Sequence, residues 1–123
     1  MELIGPLQVK VMHHIWQRGP STVHDVRDEL MADPTVKRLA YTTILTVMRN
    51  LARRGFLEQT AEGRSHRFSA KVGEGSYKCD LLHHVREEVF RGDLRAMIHA
   101  VAADETLDLD QRSRLRGMLL AGG

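Results

Sequence analysis

The side chains best suited to chemistry in this chain lie close together, on a segment near its middle. Three threonines, an asparagine and two arginines recur there at helical spacing. Threonine hydroxyls and methyl groups suit phosphates, base edges and thymine methyls, while arginine and asparagine carry donors that match guanine and adenine. Each threonine costs a helix about half a kcal/mol relative to alanine, so three on one face suggest a use outside folding. The predicted DNA-contacting residues of this segment are Tyr41, Thr42, Thr43, Thr46, Arg49, Asn50 and Arg53.

The opposite side of the same segment is an apolar stripe formed by Ile44, Val47, Met48 and Leu51. Spacings of i, i+3, i+4 and i+7 are typical of an amphipathic helix. Gly55 follows, where a left-handed residue commonly ends a helix. We therefore predict a helix over residues 41–54 that buries its apolar stripe and exposes its hydroxyls and arginines. The alternative is a solvated polar face whose threonines have no role.

Residues 56–70 predict a β-hairpin directly after this helix. Two strand-like runs flank a polar turn that contains Glu62 and Gly63. Arg64 and Arg67 lie beside the turn, where basic side chains would meet phosphates or a minor groove. Ordinary surface charge is the alternative for these two arginines.

Two further helices are predicted before the DNA-contacting segment. Residues 6–18 carry apolar side chains at i, i+4 and i+8 after Pro6, which suits a first helical turn. Residues 22–33 begin with Thr22, a favourable helix cap, and a turn of a few residues follows them. Three helices and a hairpin in this order form the pattern of a winged helix-turn-helix.

The C-terminal part is interpreted as a second module. We predict a winged-helix DNA-binding domain over residues 1–70, and a helical dimerisation region over residues 71–123 that opens with a linker at 71–75. Three short amphipathic helices there cannot all bury their apolar faces alone, whereas pairing with a second copy would cover them. Packing back onto the chain's own winged domain is the alternative. The residues assigned to dimerisation are Leu81, Leu82, Val85, Val89, Leu94, Met97, Ile98, Val101, Leu115 and Leu119.

Charge and composition agree with this division. Residues 37–67 hold seven basic and two acidic residues, whereas residues 71–123 hold eight basic and nine acidic ones. A basic central stretch fits a unit that binds a polyanion. The single cysteine fits a reducing compartment, and with no signal peptide or apolar span visible we expect a cytoplasmic protein with no membrane partner. No phosphate loop, nucleophile elbow or zinc-protease motif occurs, so we expect no enzyme activity and no cofactor.

Seven histidines raise a metal alternative. Two groups of side chains have the spacing of metal ligands on a helix, and a partner helix could supply the missing ligands. They are Cys79 with His83, and His84 with Glu87 and Glu88. An intersubunit disulfide through Cys79 is a related alternative. Solvated or core histidines are the simpler interpretation, so no metal is assigned. A metal- or redox-responsive regulator that uses Cys79 and the histidines stays an alternative function.

Three stretches of the chain match a known family. They are residues 5–16, residues 39–56 with AYTT-x-x-TV followed by LARRGF, and residues 62–68 with EGR and RF. The sequence resembles the penicillinase-repressor (BlaI/MecI/CopY) family of winged-helix transcriptional repressors, strongly over about residues 3–70 and more weakly beyond. The resemblance implies a homodimer on an inverted-repeat, palindromic operator of double-stranded DNA. It also implies that Thr42, Thr43 and Thr46 touch DNA from the recognition helix and that Arg64 does so from the wing.

The sequence departs from that family at three points. Asn50 stands where an arginine is common, with Arg49 just before it. The best-known members are released by a regulatory protease at an Asn-Phe bond, so the resemblance implies that partner, but no Asn-Phe occurs here. The copper-responsive branch carries paired Cys-x-Cys motifs, which Cys79 alone does not supply.

The predicted fold is mainly α with a small β-hairpin wing: a winged helix-turn-helix followed by a C-terminal helical dimerisation region. The predicted function is a homodimeric, sequence-specific DNA-binding repressor. The main alternative is a winged-helix protein–protein interaction module, which would more often expose an apolar patch on the third helix.

Overall fold

The computed structural model describes residues 3–63 and 65–121, and within them the chain forms six helices and one antiparallel hairpin. In chain order the elements are α1 (Pro6–Arg18), α2 (Val23–Met31), α3 (Tyr41–Arg53), β1 (Leu57–Glu62), β2 (Ser65–Ala70), α4 (Glu74–Glu88), α5 (Leu94–Ala102) and α6 (Leu109–Ala121). This order confirms the predicted mainly α fold with its hairpin wing. The chain divides into two compact units, one ending at Lys78 and the other starting at Cys79. Among the described helices, none has both the length and the apolar character that a bilayer crossing requires.

The limits of α1 and α2 follow from local sequence. Pro6 occupies the first turn of α1, where its missing N–H needs no partner. Gly19 ends α1 with a φ of +83°, which favours glycine, and its N–H donates to the Ile15 carbonyl at 2.8 Å. Thr22 caps α2 because its hydroxyl accepts the Asp25 N–H at 3.1 Å, while the Asp25 carboxylate accepts the Thr22 N–H at 2.9 Å.

The connection between α2 and α3 is longer than predicted and covers residues 32–40. Its first part is a turn organised by Asp33, whose carboxylate accepts the Thr35 hydroxyl at 2.7 Å and the Thr35 N–H at 2.9 Å. These two hydrogen bonds, the hydroxyl's first, lower the pKa of the Asp33 carboxyl. The start of α3 is therefore separated from the end of α2 by a loop with its own structure.

A hydrophobic core lies between the first three helices and the hairpin. Its apolar members up to residue 78 are Val11, Met12, Ile15, Val23, Val26, Ile44, Met48, Leu51, Phe56, Leu57, Phe68 and Tyr77. Burying each aliphatic side chain of this size stabilises the fold by roughly 1.5–3 kcal/mol. The predicted apolar stripe of α3 is confirmed for Ile44, Met48 and Leu51, whereas Val47 is only half-buried.

The hairpin pairs β1 with β2 from Leu57 opposite Ala70 to Glu62 opposite Ser65. Gly63 lies in the turn with a φ of +60°, as a tight hairpin turn requires. Ser21 adds a short third segment to the sheet, because it exchanges two backbone hydrogen bonds with Phe68, of 2.9 and 3.0 Å. These bonds tie the wing to the start of α2.

The predicted linker at residues 71–75 is only partly a linker, because α4 begins at Glu74. The Trp16 Nε1–H donates to the Val72 carbonyl at 2.9 Å, and the Tyr77 ring lies 5.7 Å from that of Trp16. Tyr77 is buried by this packing. The first compact unit therefore extends to Lys78, beyond the predicted boundary at residue 70.

Side-chain caps mark the starts of α5 and α6. The Asp93 carboxylate accepts the Ala96 N–H at 3.0 Å. Asp108 and Gln111 bond each other's backbone N–H, at 2.7 and 3.2 Å, as in a capping box.

Candidate nucleic-acid interface

The polar face of α3 is open to solvent at all its predicted contact residues except Asn50. Its opposite side is anchored by Ile44, Met48 and Leu51, which are completely buried. A strong separation of apolar and polar residues at helical period fixes the rotation of α3 about its axis. The residues predicted to contact DNA that are exposed here are Tyr41, Thr42, Thr43, Thr46, Arg49 and Arg53, and Asn50 is half-buried.

The Thr46 hydroxyl has a defined hydrogen-bonding role. It donates to the Thr42 carbonyl one turn earlier, at 2.9 Å. Since its single hydrogen is used within the helix, the oxygen presents lone pairs and the side chain presents its methyl group. Such a group accepts a hydrogen bond from an adenine or cytosine amino group, or packs on a thymine methyl.

The N-terminus of α3 carries no competing negative charge. Ala40 is the N-cap and makes no side-chain bond to the helix, and no acidic residue lies in the first turn. A helix start of this kind favours a nearby anion, because its N–H groups and the helix dipole are positive. Lys37 and Arg38, both exposed, add positive charge just before it.

A groove of about 300 Å³ lies between the start of α2, α3 and β2. The rings of His24 and Tyr41 meet at its edge, with centroids 4.6 Å apart. His24, Arg49 and His66 are its basic lining residues, and none of the described residues that line it is acidic. Sequence reasoning missed His24 and His66, because nothing in their spacing indicates that they lie beside Arg49. The full lining is Thr22, Val23, His24, Tyr41, Leu45, Arg49, Ser65, His66 and Phe68.

Arg67 of the wing is exposed, and its Nη1 donates to the Pro20 carbonyl at 3.4 Å. Its positive charge is one of the influences that lower the pKa of the Asp25 carboxyl, the largest being the hydrogen bond from the Thr22 N–H. Arg67 thus contacts the loop before α2 as well as solvent. Arg64, the other predicted wing residue, lies outside the described residues.

A polar cluster of His14, Ser21 and Glu29 lies next to the hairpin. His14 is 5% exposed, its Nε2 lies 3.0 Å from the Ser21 hydroxyl, and its Nδ1 lies 2.5 Å from a Glu29 carboxylate oxygen without hydrogen-bond geometry. Ser21 is the residue that pairs with Phe68. The cluster therefore brings side chains of α1 and α2 together with the residue that pairs with the sheet.

The apolar residues assigned to dimerisation are incompletely covered within one chain. Leu82, Val89, Leu94 and Val101 are exposed, and the other six are half-buried. Leu109 and Leu120, each 83% exposed, were not among the residues assigned to dimerisation. The interpretation of α6 as an amphipathic helix was wrong, because its apolar residues are spread around the helix and form no single apolar side. In the C-terminal unit, α5 and α6 also border a cavity of about 370 Å³ lined by His99, Ala102, Ala103, Arg116, Leu119 and Leu120.

The residues considered for a metal do not assemble into a site within one chain. In the segments 3–63 and 65–121, no group of three or more histidine, cysteine, aspartate or glutamate side chains is placed to hold an ion. His83 instead contacts Arg86, with Nδ1 and Nη2 2.9 Å apart, and Cys79 is exposed.

A buried three-helix core, a solvent-facing third helix and a hairpin tied to the second helix together define the winged helix-turn-helix class of DNA-binding protein. Comparison with known proteins agrees with this class. The sequence profile of the penicillinase repressor family matches residues 4–121. The chain therefore belongs to the penicillinase repressor family, and it is a DNA-binding transcriptional repressor, not an enzyme.

Individual relatives support this assignment. The transcriptional regulator BlaI of Mycobacterium tuberculosis is 31% identical over 119 residues, which cover 94% of this chain and 82% of the relative. The methicillin resistance regulatory protein MecI of Staphylococcus aureus is 21% identical over 116 residues, covering 94% and 92%. Among solved structures, monomeric Bacillus licheniformis BlaI in complex with the blaP half-operator matches with a TM-score of 0.50 and 26% identity, over 62% of this chain and 89% of that one.

Proposed function

We propose that two copies of this chain bind an inverted-repeat operator and repress transcription by occupying it. The observation that carries the proposal is the α3 surface, whose hydroxyl and arginine face is exposed while its apolar side is completely buried. A helix held in this way fits the major groove, which is wide enough to admit it. The complex of Bacillus licheniformis BlaI with a half-operator supports this use of the fold.

The exposed residues of α3 divide into two roles. Thr42, Thr43 and Thr46 lie near the start of the helix, where a recognition helix meets base edges. Arg49 and Arg53 lie further along it and supply charge for phosphates or for guanine. In this arrangement the groove between α3 and β2 receives the sugar-phosphate backbone that separates the major from the minor groove of the DNA, because Arg49, His24 and His66 line it.

The C-terminal unit supports the proposed dimer. Leu109 and Leu120 are mostly exposed to water in a single copy, which is unfavourable for apolar side chains. Their burial against a second copy would be favourable. Two linked winged domains would read half-sites about one helical turn apart, roughly 34–36 Å. The symmetry of the dimer would then appear as a palindrome in the DNA.

Selection of bound duplexes from a random pool, using the full chain, tests the proposal. We expect enrichment of a palindrome with two equal half-sites. Binding to that duplex is expected to weaken with salt, with log K falling by about 0.9 per neutralised phosphate for each log unit of salt. A pool that shows no enrichment at low salt would contradict operator binding, and a single unpaired half-site would contradict the dimer.

A further inference from the structure

Two α2 side chains hold the residue that precedes the N-cap of the recognition helix. The Arg27 Nε–H donates to the Leu39 carbonyl at 2.8 Å. The Leu39 N–H in turn lies 3.1 Å from the Met31 sulfur and donates to it. Both polar backbone groups of Leu39 are thus bonded to side chains of α2, and all three residues are half-buried.

This arrangement compensates for features that leave the start of α3 weakly fixed. The loop over residues 32–40 is long for a helix-turn-helix connection, which usually has three or four residues. Ala40 provides no side-chain cap. Arg27 and Met31 are four residues apart and so project from the same face of α2, one turn apart. Together they connect the start of α3 directly to a helix that is packed in the core.

We propose that Arg27 is a positioning residue for DNA recognition, which acts by holding Leu39 and thereby the first turn of α3. The proposal rests on the proposed function, because it assigns Thr42 and Thr43 of that turn to base contacts. Hydrogen bonds to bases need donor–acceptor distances of about 2.7–3.2 Å and good angles, so a small shift of the helix start breaks them. Attraction to phosphate falls only as the inverse of distance, so it survives the same shift. Loss of Arg27 therefore reduces sequence preference more than general affinity for DNA.

The test compares two duplexes of equal length by fluorescence anisotropy: the one selected from the random pool and a scrambled one. Arg27→Met removes the donor while keeping an unbranched side chain. We expect about a tenfold loss of affinity for the selected duplex, less than a twofold change for the scrambled duplex, and an unchanged salt slope. Arg27→Lys retains a charged donor and is expected to recover most of the preference. Arg18→Met is the matched control, because Arg18 is an exposed arginine that contacts Glu29 and not α3, and it is expected to leave both affinities unchanged.

Two results would overturn the proposal. Equal losses on both duplexes, with the salt slope of Arg27→Met reduced by about one, would make Arg27 a phosphate contact. Unchanged binding to both duplexes would show that the Leu39 contact has no role in recognition. Wild-type chain that prefers no duplex would instead contradict the proposed function itself, so the two failures are distinguishable.

A second variant covers the case in which Arg27→Met does not fold, as judged by its thermal unfolding. Met31→Leu keeps the apolar volume and removes only the sulfur acceptor of the Leu39 N–H. We expect a two- to threefold loss of affinity confined to the selected duplex, with faster hydrogen exchange of the Leu39 amide. Unchanged exchange together with unchanged preference would count against the proposal.

Discussion

The hydroxyl of Thr46 offers a sharp test of how α3 reads DNA. Its hydrogen is donated to the Thr42 carbonyl, so toward a DNA groove it acts as an acceptor. Thr46→Val keeps the shape and the methyl group and removes the oxygen, whereas Thr46→Ser keeps the oxygen and removes the methyl. The pair therefore separates hydrogen-bond acceptance from apolar contact at one position.

The expected magnitude follows from what the substitution leaves behind. A base amino group that loses its acceptor inside a closed interface stays unsatisfied, and this costs about 1–3 kcal/mol. Thr46→Val should therefore weaken binding to the selected duplex by about 5- to 150-fold, because each 1.4 kcal/mol is about tenfold in affinity. Thr46 is exposed and its bond lies within one helix, so the free energy of unfolding should change by less than about 0.5 kcal/mol.

Competition anisotropy with a panel of duplexes, each altered at one base pair, is the appropriate assay. For Thr46→Val the loss should disappear on duplexes in which one particular adenine or cytosine has been replaced, since the missing bond was made there. Thr46→Ser should bind within about threefold of wild type. If Thr46→Val bound as wild type while Thr46→Ser lost affinity, the residue would act through its methyl group and the acceptor argument would be wrong.

Three further outcomes are expected. Leu51→Ala, at a completely buried position, should lower the free energy of unfolding by about 2–5 kcal/mol in urea titrations. Gln59→Ala, on the exposed side of β1, should change it little. Equal effects of the two substitutions would contradict the assignment of Leu51 to the hydrophobic core. Thr22→Ala should cost about 0.5–2 kcal/mol by breaking the capping box. The hydrogen bond from the Thr22 N–H, which Thr22→Ala retains, is the largest cause that lowers the pKa of Asp25. The stabilisation from this carboxylate is therefore present above the ordinary carboxyl value of 3.8 and is lost as the pH falls through the folded pKa, so acid titrations of wild type should be steeper there than those of Asp25→Asn, which cannot titrate. Leu120→Asp should shift the chain toward monomer in sedimentation experiments, because it places a charge on an exposed apolar position of α6. Operator affinity should fall at least about tenfold, while binding to a single half-site is retained. An unchanged sedimentation coefficient would exclude the surface around Leu120 from the dimer interface.

Much of the fold could be read from local pattern. The spacing of Ile44, Met48 and Leu51 determined which side of the third helix would be buried, and Gly55 marked its end with a φ of +88°. Thr22 marked the start of α2, because a cap acts on N–H groups within four residues of it. The linker prediction was wrong at Glu74, where α4 begins. Val72 and Tyr77 are held there by Trp16, a contact between residues far apart in the chain.

The sequence by itself determined that an amphipathic helix would present threonines and arginines on its polar side, because helical period and residue type are local properties. Only the tertiary structure decided where that helix begins in space. Leu39 is held by Arg27 and Met31 of α2. His24 and His66 lie with Arg49 in one groove. The spacing of residues along the chain does not encode either set of contacts. Such contacts form only when the core has packed, since burial of the helices' apolar sides is what brings these distant side chains within bonding distance.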